Sequence, residues 1–364
     1  MRTRLEIRRE DVNLERYGWN ERFRSLFEST TNGDLVPARV IRVDRGAALV
    51  ETEEGTFRAT RAGNLHPEGE SGSPAVGDWV GVERSGDSGV IRIILPRSGA
   101  MARRRPGAAE AEQVVAANVD LVLVVESLER GPSPRRIERA AALAWDGGAS
   151  PVVVLTKADT CPDLDASIER AREGAPLSDI LPVSAVSGVG LEAIAEKLPT
   201  GSTAVLLGPS GVGKSTLINR LLGEERLAVG EVRSGDHKGR HTTTHRELVV
   251  LPAGGCVIDT PGIRELGLWL DREAVNTVFP EIDEAAQGCR YGDCRHEAEP
   301  GCAVHEAVED GTIDPRRLES FLRLRREVEN LDRRRDESKR HENRARERSF
   351  GKMVRQAKKI KGQR

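Results

Sequence analysis

The sequence predicts a multidomain protein that combines an all-β OB-like barrel, a mostly parallel α/β domain and a small zinc-binding α-helical domain. Short runs rich in Val and Ile, separated by turn residues, lie between residues 35 and 99, a pattern typical of a small barrel. Apolar strand-like runs alternate with helical or loop segments across residues 100–270, as in a parallel α/β sheet. Three cysteines and one histidine lie close together from Cys289 onward. The expected parts are a helical extension (1–34), the barrel (35–99), the α/β domain (100–270), and the zinc-binding domain with a basic tail (271–364).

Composition limits the class of protein. The 364 residues are 38% hydrophobic and 31% charged, which is typical of a soluble chain with two or three domains. No apolar run approaches about 18 residues, so we expect no membrane-spanning helix. The N-terminus lacks the apolar region of a signal peptide. These features predict a cytoplasmic protein, and we expect it to be a monomer. In that compartment its five cysteines are expected to be thiols or metal ligands rather than disulfides.

The first two parts are predicted from local patterns. Apolar residues recur at roughly helical spacing between Leu14 and Phe27, so Trp19 and Phe23 are expected to pack rather than to bind a ligand. The size of the barrel suits an OB fold, which often binds nucleic acid. The arginines that would line such a face are Arg39, Arg42, Arg45, Arg58 and Arg61. The alternative is a structural β module with solvated arginines.

The α/β domain is predicted from a series of apolar runs that follow a basic segment at residues 97–107. That segment contains Gly and Pro and is interpreted as a linker in which Arg103, Arg104 and Arg105 contact phosphate. The predicted strands are 119–125, 151–156, 180–184, 203–207, 247–251 and 255–259. The continuous apolar character of the first run is typical of a strand buried on both faces.

A phosphate-binding loop is indicated by the segment after the predicted strand 203–207. The segment consists of Gly208, Pro209, Ser210, Gly211, Val212, Gly213, Lys214, Ser215 and Thr216. The glycines allow backbone N–H groups to face phosphate oxygens, while Lys214 supplies a cation and Ser215 an oxygen ligand for magnesium. A strand before the loop and helical spacing after it favour this motif over a plain glycine-rich turn. Lys214 is therefore the first candidate catalytic residue.

Further motifs indicate which nucleotide is bound. Asp259 and Gly262 form a D-x-x-G, in which the aspartate holds magnesium through water and the glycine N–H senses the γ-phosphate. The residues that resemble the base-reading motifs of GTPases are Thr156, Lys157, Ala158 and Asp159, with Ser184 and Ala185 in a second loop. The Asp159 carboxylate would accept hydrogen bonds from guanine that adenine cannot donate, and such a contact discriminates strongly.

These motifs occur in a permuted order. In an ordinary GTPase the base-reading motifs come last, whereas here they precede the P-loop and D-x-x-G. Each follows a predicted strand, and open α/β sheets bind ligands at the carboxyl ends of their strands. The domain therefore resembles a circularly permuted GTPase, for which GTP or GDP and Mg²⁺ are the expected ligands.

The segment 235–245 between these motifs carries the candidates for water and metal binding. One of its three consecutive threonines is expected to complete the magnesium ligands, with Thr243 as the candidate and Thr242 and Thr244 left open. Ile263 follows Gly262 where many GTPases place a glutamine that orients the attacking water. His241 is the second candidate catalytic residue because an imidazole can orient or deprotonate water. The alternative is that a partner completes the site.

The metal-ligand pattern is C-x4-C-x-H-x5-C. Its residues are Cys289, Cys294, His296 and Cys302. Three thiolates and one imidazole suit one tetrahedral Zn²⁺, and His305 is near enough in sequence to compete as a ligand. The alternative is a set of reduced core thiols.

Charge is distributed unevenly along the chain. Residues 316–364 contain 19 Lys or Arg and 8 Asp or Glu, a net charge of +11, whereas the whole chain carries −2. A basic segment on an acidic protein favours a polyanionic partner; the alternative is a solvated helix of mixed charge. The segment is predicted to begin as an amphipathic helix from the spacing of Leu318, Phe321, Leu324, Val328 and Leu331.

Across about residues 35–315 these motifs resemble the bacterial ribosome small-subunit-dependent GTPase A family. The resemblance implies an OB-fold N-terminal domain, a C-terminal zinc domain, rRNA contact and ribosome-stimulated GTP hydrolysis in late maturation of the small ribosomal subunit. The tail after about residue 335 is not among the motifs of the family. Two alternatives remain open: a GTPase with a protein client, and a zinc- and RNA-binding module whose nucleotide site is only structural.

Overall fold

A computed structural model describes residues 13–31, 33–44, 46–62, 73–104, 112–225, 246–259, 272–297, 299–330 and 333. The chain divides into two compact units. The first contains Met1–Arg103 and Glu112–Leu268, and the second contains Arg104–Ala111 and Trp269–Arg364. The predicted barrel and most of the predicted α/β domain belong to the first unit, and the Cys/His segment belongs to the second. The four domain ranges drawn from the sequence stay a prediction.

The N-terminal segment packs against the barrel through aromatic side chains. A 3₁₀ turn (Leu14–Tyr17) precedes helix α1 (Glu21–Thr30). Asn20 caps the start of this helix because its side chain accepts a hydrogen bond from the Phe23 N–H. The ring centroids of Trp19 and Trp79 are 4.7 Å apart. Both residues belong to one buried cluster with Phe23. The predicted packing role of Trp19 and Phe23 is therefore confirmed.

Five strands close into the predicted OB-like barrel. They are β1 (Val36–Asp44), β2 (Ala47–Thr52), β3 (Gly55–Arg61), β4 (Trp79–Ser85) and β5 (Ser88–Ile94). Strand β1 pairs with both β2 and β4, and β3 pairs in parallel with β5, so the sheet has no free edge among these strands. Apolar side chains that include Val40, Val50 and Phe57 fill the interior.

Arg39 does not line a nucleic-acid face, contrary to the expectation from sequence. Its side chain is only 1% exposed, and its guanidinium lies 4.9 Å from the centre of the Trp79 ring. Its Nη2 donates to the Thr203 hydroxyl at 3.2 Å. Arg39 thus joins the barrel to the α/β domain, whereas the Arg58 side chain is 60% exposed and forms an ion pair with Asp44 at 3.5 Å. Arg45 lies outside the described residues.

The α/β domain is built from strands separated by helices. Its strands are β8 (Leu121–Ser127), β9 (Ser150–Thr156), β10 (Asp179–Val183), β11 (Thr203–Leu207), β12 (Glu247–Val250) and β13 (Cys256–Asp259). Its helices are α2 (Pro134–Asp146), α3 (Leu164–Arg172), α4 (Leu191–Lys197) and α5 (Lys214–Leu222). The strand order is β10-β9-β8-β11-β13-β12, and only β12 runs antiparallel to its neighbour within this group. Strands β9 and β10 thus extend the sheet on one side of β8, whereas β11 and β13 extend it on the other side. Open α/β sheets bind ligands where the strand order reverses in this way.

A separate two-stranded sheet precedes this sheet in the chain. Strand β6 (Ala100–Arg104) pairs with β7 (Glu112–Ala117), so the interpretation of residues 97–107 as a linker is wrong for residues 100–104; residues 105–107 lie outside the described residues. Local pattern could not reveal β6 because its basic residues lack the apolar alternation of a strand, and its partner lies further along the chain.

The barrel and the α/β domain share hydrogen bonds within the first unit. Strand β1 pairs with β12 through Arg42 and Glu247, which makes the barrel continuous with the larger sheet. The buried Asn118 side chain donates to the Gly77 carbonyl and accepts from the Ser98 N–H, both at 2.9 Å. These contacts hold the barrel against the strands that carry the nucleotide motifs.

The second unit is helical in its described part. Its helices are α6 (Arg272–Val278), α7 (Pro280–Ala286), α8 (Ala303–Glu309) and α9, residues 315–330. The rings of Phe279 and Phe321 meet edge to face with centroids 5.6 Å apart. The predicted amphipathic face of α9 is confirmed by the burial of Leu318, Phe321, Leu324 and Val328; Leu331 lies outside the described residues.

Candidate functional site

The predicted phosphate-binding loop connects β11 to α5, as the motif requires. Gly208 has φ +155°, and a Cβ atom there would lie 2.3 Å from the Val125 carbonyl oxygen, so only glycine fits. Gly213 has φ +97° and caps α5, which begins at Lys214. The first N–H groups of a helix attract phosphate because they lack partners within the helix. The local backbone is therefore suited to phosphate.

Side chains of the loop also fit a phosphate ligand. The Lys214 ammonium donates to the carbonyl oxygens of Gly208 and Pro209, both at 2.6 Å, which places the cation across the loop. The Ser210 hydroxyl is buried and has no hydrogen-bond partner in the described part of the chain. A buried hydroxyl without a partner is costly, and a phosphate oxygen would satisfy it. Ser215 and Thr216 lie in the first turn of α5 and are partly buried.

The first base-reading motif is attached directly to the phosphate-binding loop. Strand β9 ends at Thr156, whose hydroxyl lies 2.5 Å from the Val212 carbonyl oxygen and 3.1 Å from that of Glu126. Lys157 adopts a left-handed backbone conformation with φ +61°, and Ala158 and Asp159 follow in a 3₁₀ turn. Asp159 is exposed, so its carboxylate is accessible to a ligand.

The second base-reading loop is a compact turn after β10. Ser184 is 1% exposed, and its hydroxyl accepts from the Ser187 N–H at 3.1 Å. The Ser184 carbonyl accepts from the Gly188 N–H at 2.8 Å, which closes the turn and leaves Ala185 partly exposed. Ser184 therefore shapes the loop through its own contacts.

One edge of the sheet collects the described motif residues. Strands β9, β10, β11 and β13 are parallel and belong to one sheet, so their carboxyl ends lie at the same edge. The base-reading motifs, the phosphate-binding loop and Asp259 each follow or end one of these strands. The candidates His241, Thr243 and Gly262 lie outside the described residues.

Two glutamates near this edge were missed by sequence reasoning. Glu126 is 2% exposed and accepts from Arg136 at 2.8 and 2.6 Å, which anchors the end of β8 to α2. Glu129 lies 2.5 Å from the Lys157 ammonium. The signal available in the sequence was the occurrence of acidic residues directly after a continuous apolar strand.

The predicted metal ligands meet in the second unit. One ligand atom from each of Cys289, Cys294, His296 and Cys302 lies within 4.8 Å of all the others. His296 Nδ1 is 3.4 Å from the Cys302 sulfur and 3.6 Å from the Cys289 sulfur. A tetrahedral zinc with ordinary bond lengths would separate a nitrogen and a sulfur ligand by about 3.5 Å. The donor set and its spacing therefore fit zinc.

Burial of the histidine in this cluster favours the form that a metal requires. His296 is 6% exposed, and burial lowers its pKa, which favours the neutral imidazole. His305, considered above as a competing ligand, directs its Nε2 to the carbonyl oxygens of His296 and Glu297 at 3.1 and 3.2 Å. That nitrogen is therefore not directed at the sulfurs.

Comparison with known proteins assigns the chain to a family. A protein of Syntrophotalea carbinolica named small ribosomal subunit biogenesis GTPase RsgA is 46% identical over 330 residues, which are 87% of this chain and 90% of that protein. The chain belongs to the RsgA GTPase family. The model of that family matches residues 94–269. A Streptomyces coelicolor protein of the same name is 46% identical over 87% of each chain.

Solved structures agree with this assignment. The crystal structure of YjeQ from Thermotoga maritima is 28% identical, with a TM-score of 0.61 over 81% of this chain and 98% of that one. The structure of YloQ, described as a circularly permuted GTPase, has a TM-score of 0.59 over 83% of this chain and 98% of that one at 23% identity, which shows the fold. As a member of the RsgA GTPase family, the chain is a GTP hydrolase with a circularly permuted GTPase domain.

A second family model, described as ABC transporter, matches residues 191–353. That range contains the phosphate-binding loop, a motif that many nucleotide hydrolases share. Among the described residues, no helix is both long enough and apolar enough to cross a membrane.

Proposed function

We propose that this RsgA-family GTPase acts in biogenesis of the small ribosomal subunit, where it binds rRNA and hydrolyses GTP faster when the subunit is present. The observation that carries this proposal is 46% identity, over 87% of the chain, to a protein named for that role. The fold supports it because an OB-like barrel and the nucleotide motifs belong to one unit, so a partner on the barrel is physically connected to the site of hydrolysis.

In this proposal the edge of the sheet holds GTP or GDP. Asp159 reads the N1–H and 2-amino groups of guanine, while the Lys157 stem lies along the base and the Ser184–Ala185 loop approaches O6. Gly208 to Thr216 surround the phosphates, and Lys214 neutralises their charge. The support for these roles is the placement of each group beyond a parallel strand and the contact of Thr156 with Val212.

Magnesium would be held by Ser215 and Thr243, with Asp259 binding it through water and the Gly262 N–H facing the γ-phosphate. When bound, magnesium would neutralise the negative charge that develops on the β- and γ-phosphates. His241 would position the attacking water, because the side chain of Ile263 cannot donate or accept a hydrogen bond. A site that lacks this glutamine accounts for slow hydrolysis until a partner completes it.

The second unit would hold one Zn²⁺ through Cys289, Cys294, His296 and Cys302. Four protein ligands leave no open position on a tetrahedral ion, so the role of the metal is structural rather than catalytic. The support is the match between the observed nitrogen–sulfur distances and the zinc geometry.

The partner is proposed to be rRNA because the chain combines an exposed barrel arginine with a basic C-terminal segment. The Arg58 side chain is 60% exposed beside Asp44, and residues 316–364 carry a net charge of +11. Binding of this kind weakens steeply with salt because phosphate counterions are released. We further propose that the chain works as a monomer in the cytoplasm.

The test is a pull-down of separated ribosomal subunits by the full chain, with a non-hydrolysable GTP analogue and with GDP. We expect retention of the small subunit with the analogue, little retention of the large subunit, and a steep decrease with salt. The matched control is Lys214→Ala, which should remove the difference between the two nucleotides. Equal retention of both subunits, or of neither, would overturn the proposal and favour a protein client.

A further inference from the structure

The backbone around His296 is held by side chains that are not metal ligands. His296 has φ +55°, a left-handed conformation that is unfavourable for a residue with a Cβ atom. The segment therefore does not adopt this shape by local preference. It needs contacts from outside the turn to keep the imidazole directed at the sulfurs.

Those contacts come from both sides of the backbone. The Glu299 carboxylate accepts from the N–H groups of Arg295 and Glu297 at 2.9 and 3.0 Å. On the carbonyl side, His305 Nε2 lies 3.1 Å from the His296 oxygen and 3.2 Å from the Glu297 oxygen. Because carbonyl oxygens only accept hydrogen bonds, His305 Nε2 must carry a hydrogen and donate it.

His305 reaches these carbonyls from a fixed element. It is the third residue of α8, which begins at Ala303 directly after the ligand Cys302. Val304, its neighbour in this helix, is fully buried, so the first turn of α8 is anchored. A single short helix therefore places one ligand, Cys302, and orients a second, His296.

We propose that His305 is a positioning residue for His296: it holds the left-handed turn so that His296 Nδ1, rather than Nε2, faces the three sulfurs. The inference rests on the proposed zinc site. His305 is not among the four clustered ligand groups, and its Nε2 is engaged by two carbonyls instead. Residues that orient metal ligands commonly change metal affinity by about 10- to 100-fold when they are removed.

The first experiment measures release of zinc from the purified full chain to a colorimetric chelator. Wild type is compared with His305→Ala, with His305→Gln and with Glu309→Ala, an exposed residue at the end of the same helix. We expect His305→Ala to release zinc about 10- to 100-fold faster. His305→Gln places an amide donor near the original Nε2 and should restore most of the difference, while Glu309→Ala should behave as wild type.

The second experiment distinguishes a positioning residue from a ligand. The chain is loaded with Co²⁺, whose visible spectrum reports its ligands. We expect His305→Ala and His305→Gln to keep the number and position of the bands, and His296→Ala to change them. The reverse pattern would identify His305 as the ligand and overturn the inference.

The outcomes separate this inference from the zinc assignment. If the wild-type chain binds zinc and His305→Ala releases it as slowly as Glu309→Ala, the positioning role alone is overturned. If the wild-type chain binds no zinc, the zinc assignment fails and the inference fails with it. If His305→Ala proves too unstable to purify, the soluble His305→Gln variant is compared with wild type. Faster zinc release from His305→Gln would count against the role assigned to the Nε2 donor. Zinc release at the wild-type rate would support it.

Discussion

The hydroxyl of Thr156 lies 2.5 Å from the carbonyl oxygen of Val212, so one hydrogen bond joins the first base-reading motif to the phosphate-binding loop across 56 residues. Both residues are buried, and a buried bond resists competition from water. The parts that would hold the base and the phosphates are therefore fixed relative to each other. The permuted order of the motifs along the chain does not disturb this arrangement.

Replacing Thr156 by Val should weaken nucleotide binding with little change in the fold. The substitution keeps the shape of the side chain but leaves the Val212 carbonyl without this donor, which costs about 1–3 kcal/mol. We expect roughly tenfold weaker binding of both GTP and GDP, measured by fluorescence titration, because the bond supports the whole site. Thr156→Ser retains the hydroxyl and is the control. Equal affinities for Thr156→Val and wild type would show that the bond does not organise the site.

Replacing Asp159 by Asn should reduce the preference for guanine. The amide no longer offers two acceptor oxygens to the N1–H and 2-amino groups, and sites built on such bonds discriminate by roughly 10⁴-fold or more. Affinities for GTP, ATP and xanthosine triphosphate are compared for both proteins. We expect the affinity for GTP to fall and the affinity for xanthosine triphosphate to rise relative to that for GTP. Unchanged preferences would remove Asp159 from base recognition.

Lys214→Ala and Ser215→Ala should each nearly abolish hydrolysis. Lys214 neutralises phosphate charge and Ser215 contributes to magnesium binding, whereas both side chains lie at the start of α5 and are not fully buried. The melting temperature should therefore change little. Turnover is followed by phosphate release at saturating GTP, with circular dichroism as the control for folding. Survival of turnover in both variants would be incompatible with the assigned roles.

Removing the metal should unfold the second unit and spare the first. Metal-binding energy in structural zinc sites is folding energy, and the four ligands join the end of α7 to the start of α8. We expect one zinc per chain by elemental analysis, lost in Cys294→Ala and His296→Ala. Chelation should increase protease cleavage between about residues 280 and 315 while GTP still binds. A chain that contains no zinc, or keeps its resistance to protease after chelation, would contradict the site.

Intrinsic turnover should be slow and should rise when the small ribosomal subunit is added. The reason is Ile263, which cannot orient water. If His241 positions that water, His241→Ala should lower the stimulated rate by about 10²–10⁴-fold while GTP affinity stays near normal. Single-turnover hydrolysis is measured with and without purified subunits. Fast hydrolysis by the isolated chain, or full stimulation of His241→Ala, would contradict this prediction.

Motifs with short spacing could be predicted from sequence because their chemistry depends on neighbours along the chain. The phosphate-binding loop needs glycines at Gly208 and Gly213, and both positions do have positive φ angles. The metal cluster needs four ligands within one short segment, and these ligands do meet. The continuous apolar strands likewise predicted a buried parallel sheet, because a strand that is apolar on both faces is typical of a sheet covered on both faces.

Other features were decided only by tertiary structure, because they depend on residues distant in sequence. Arg39 has the pattern of a surface residue, yet its contacts with Trp79 and Thr203 bury it between two domains. Strand β6 has no apolar alternation and exists because β7 pairs with it.

The sequence by itself thus determined the fold class, the order of the motifs and which three cysteines and one histidine meet in the second unit. Tertiary structure decided which polar groups support them, including Glu129 beside Lys157 and His305 beneath His296. The physical reason is that a hydrogen bond or ion pair requires two groups within about 3–4 Å. Periodicity along the chain reports only burial and backbone conformation, and it cannot specify which distant group completes such a pair.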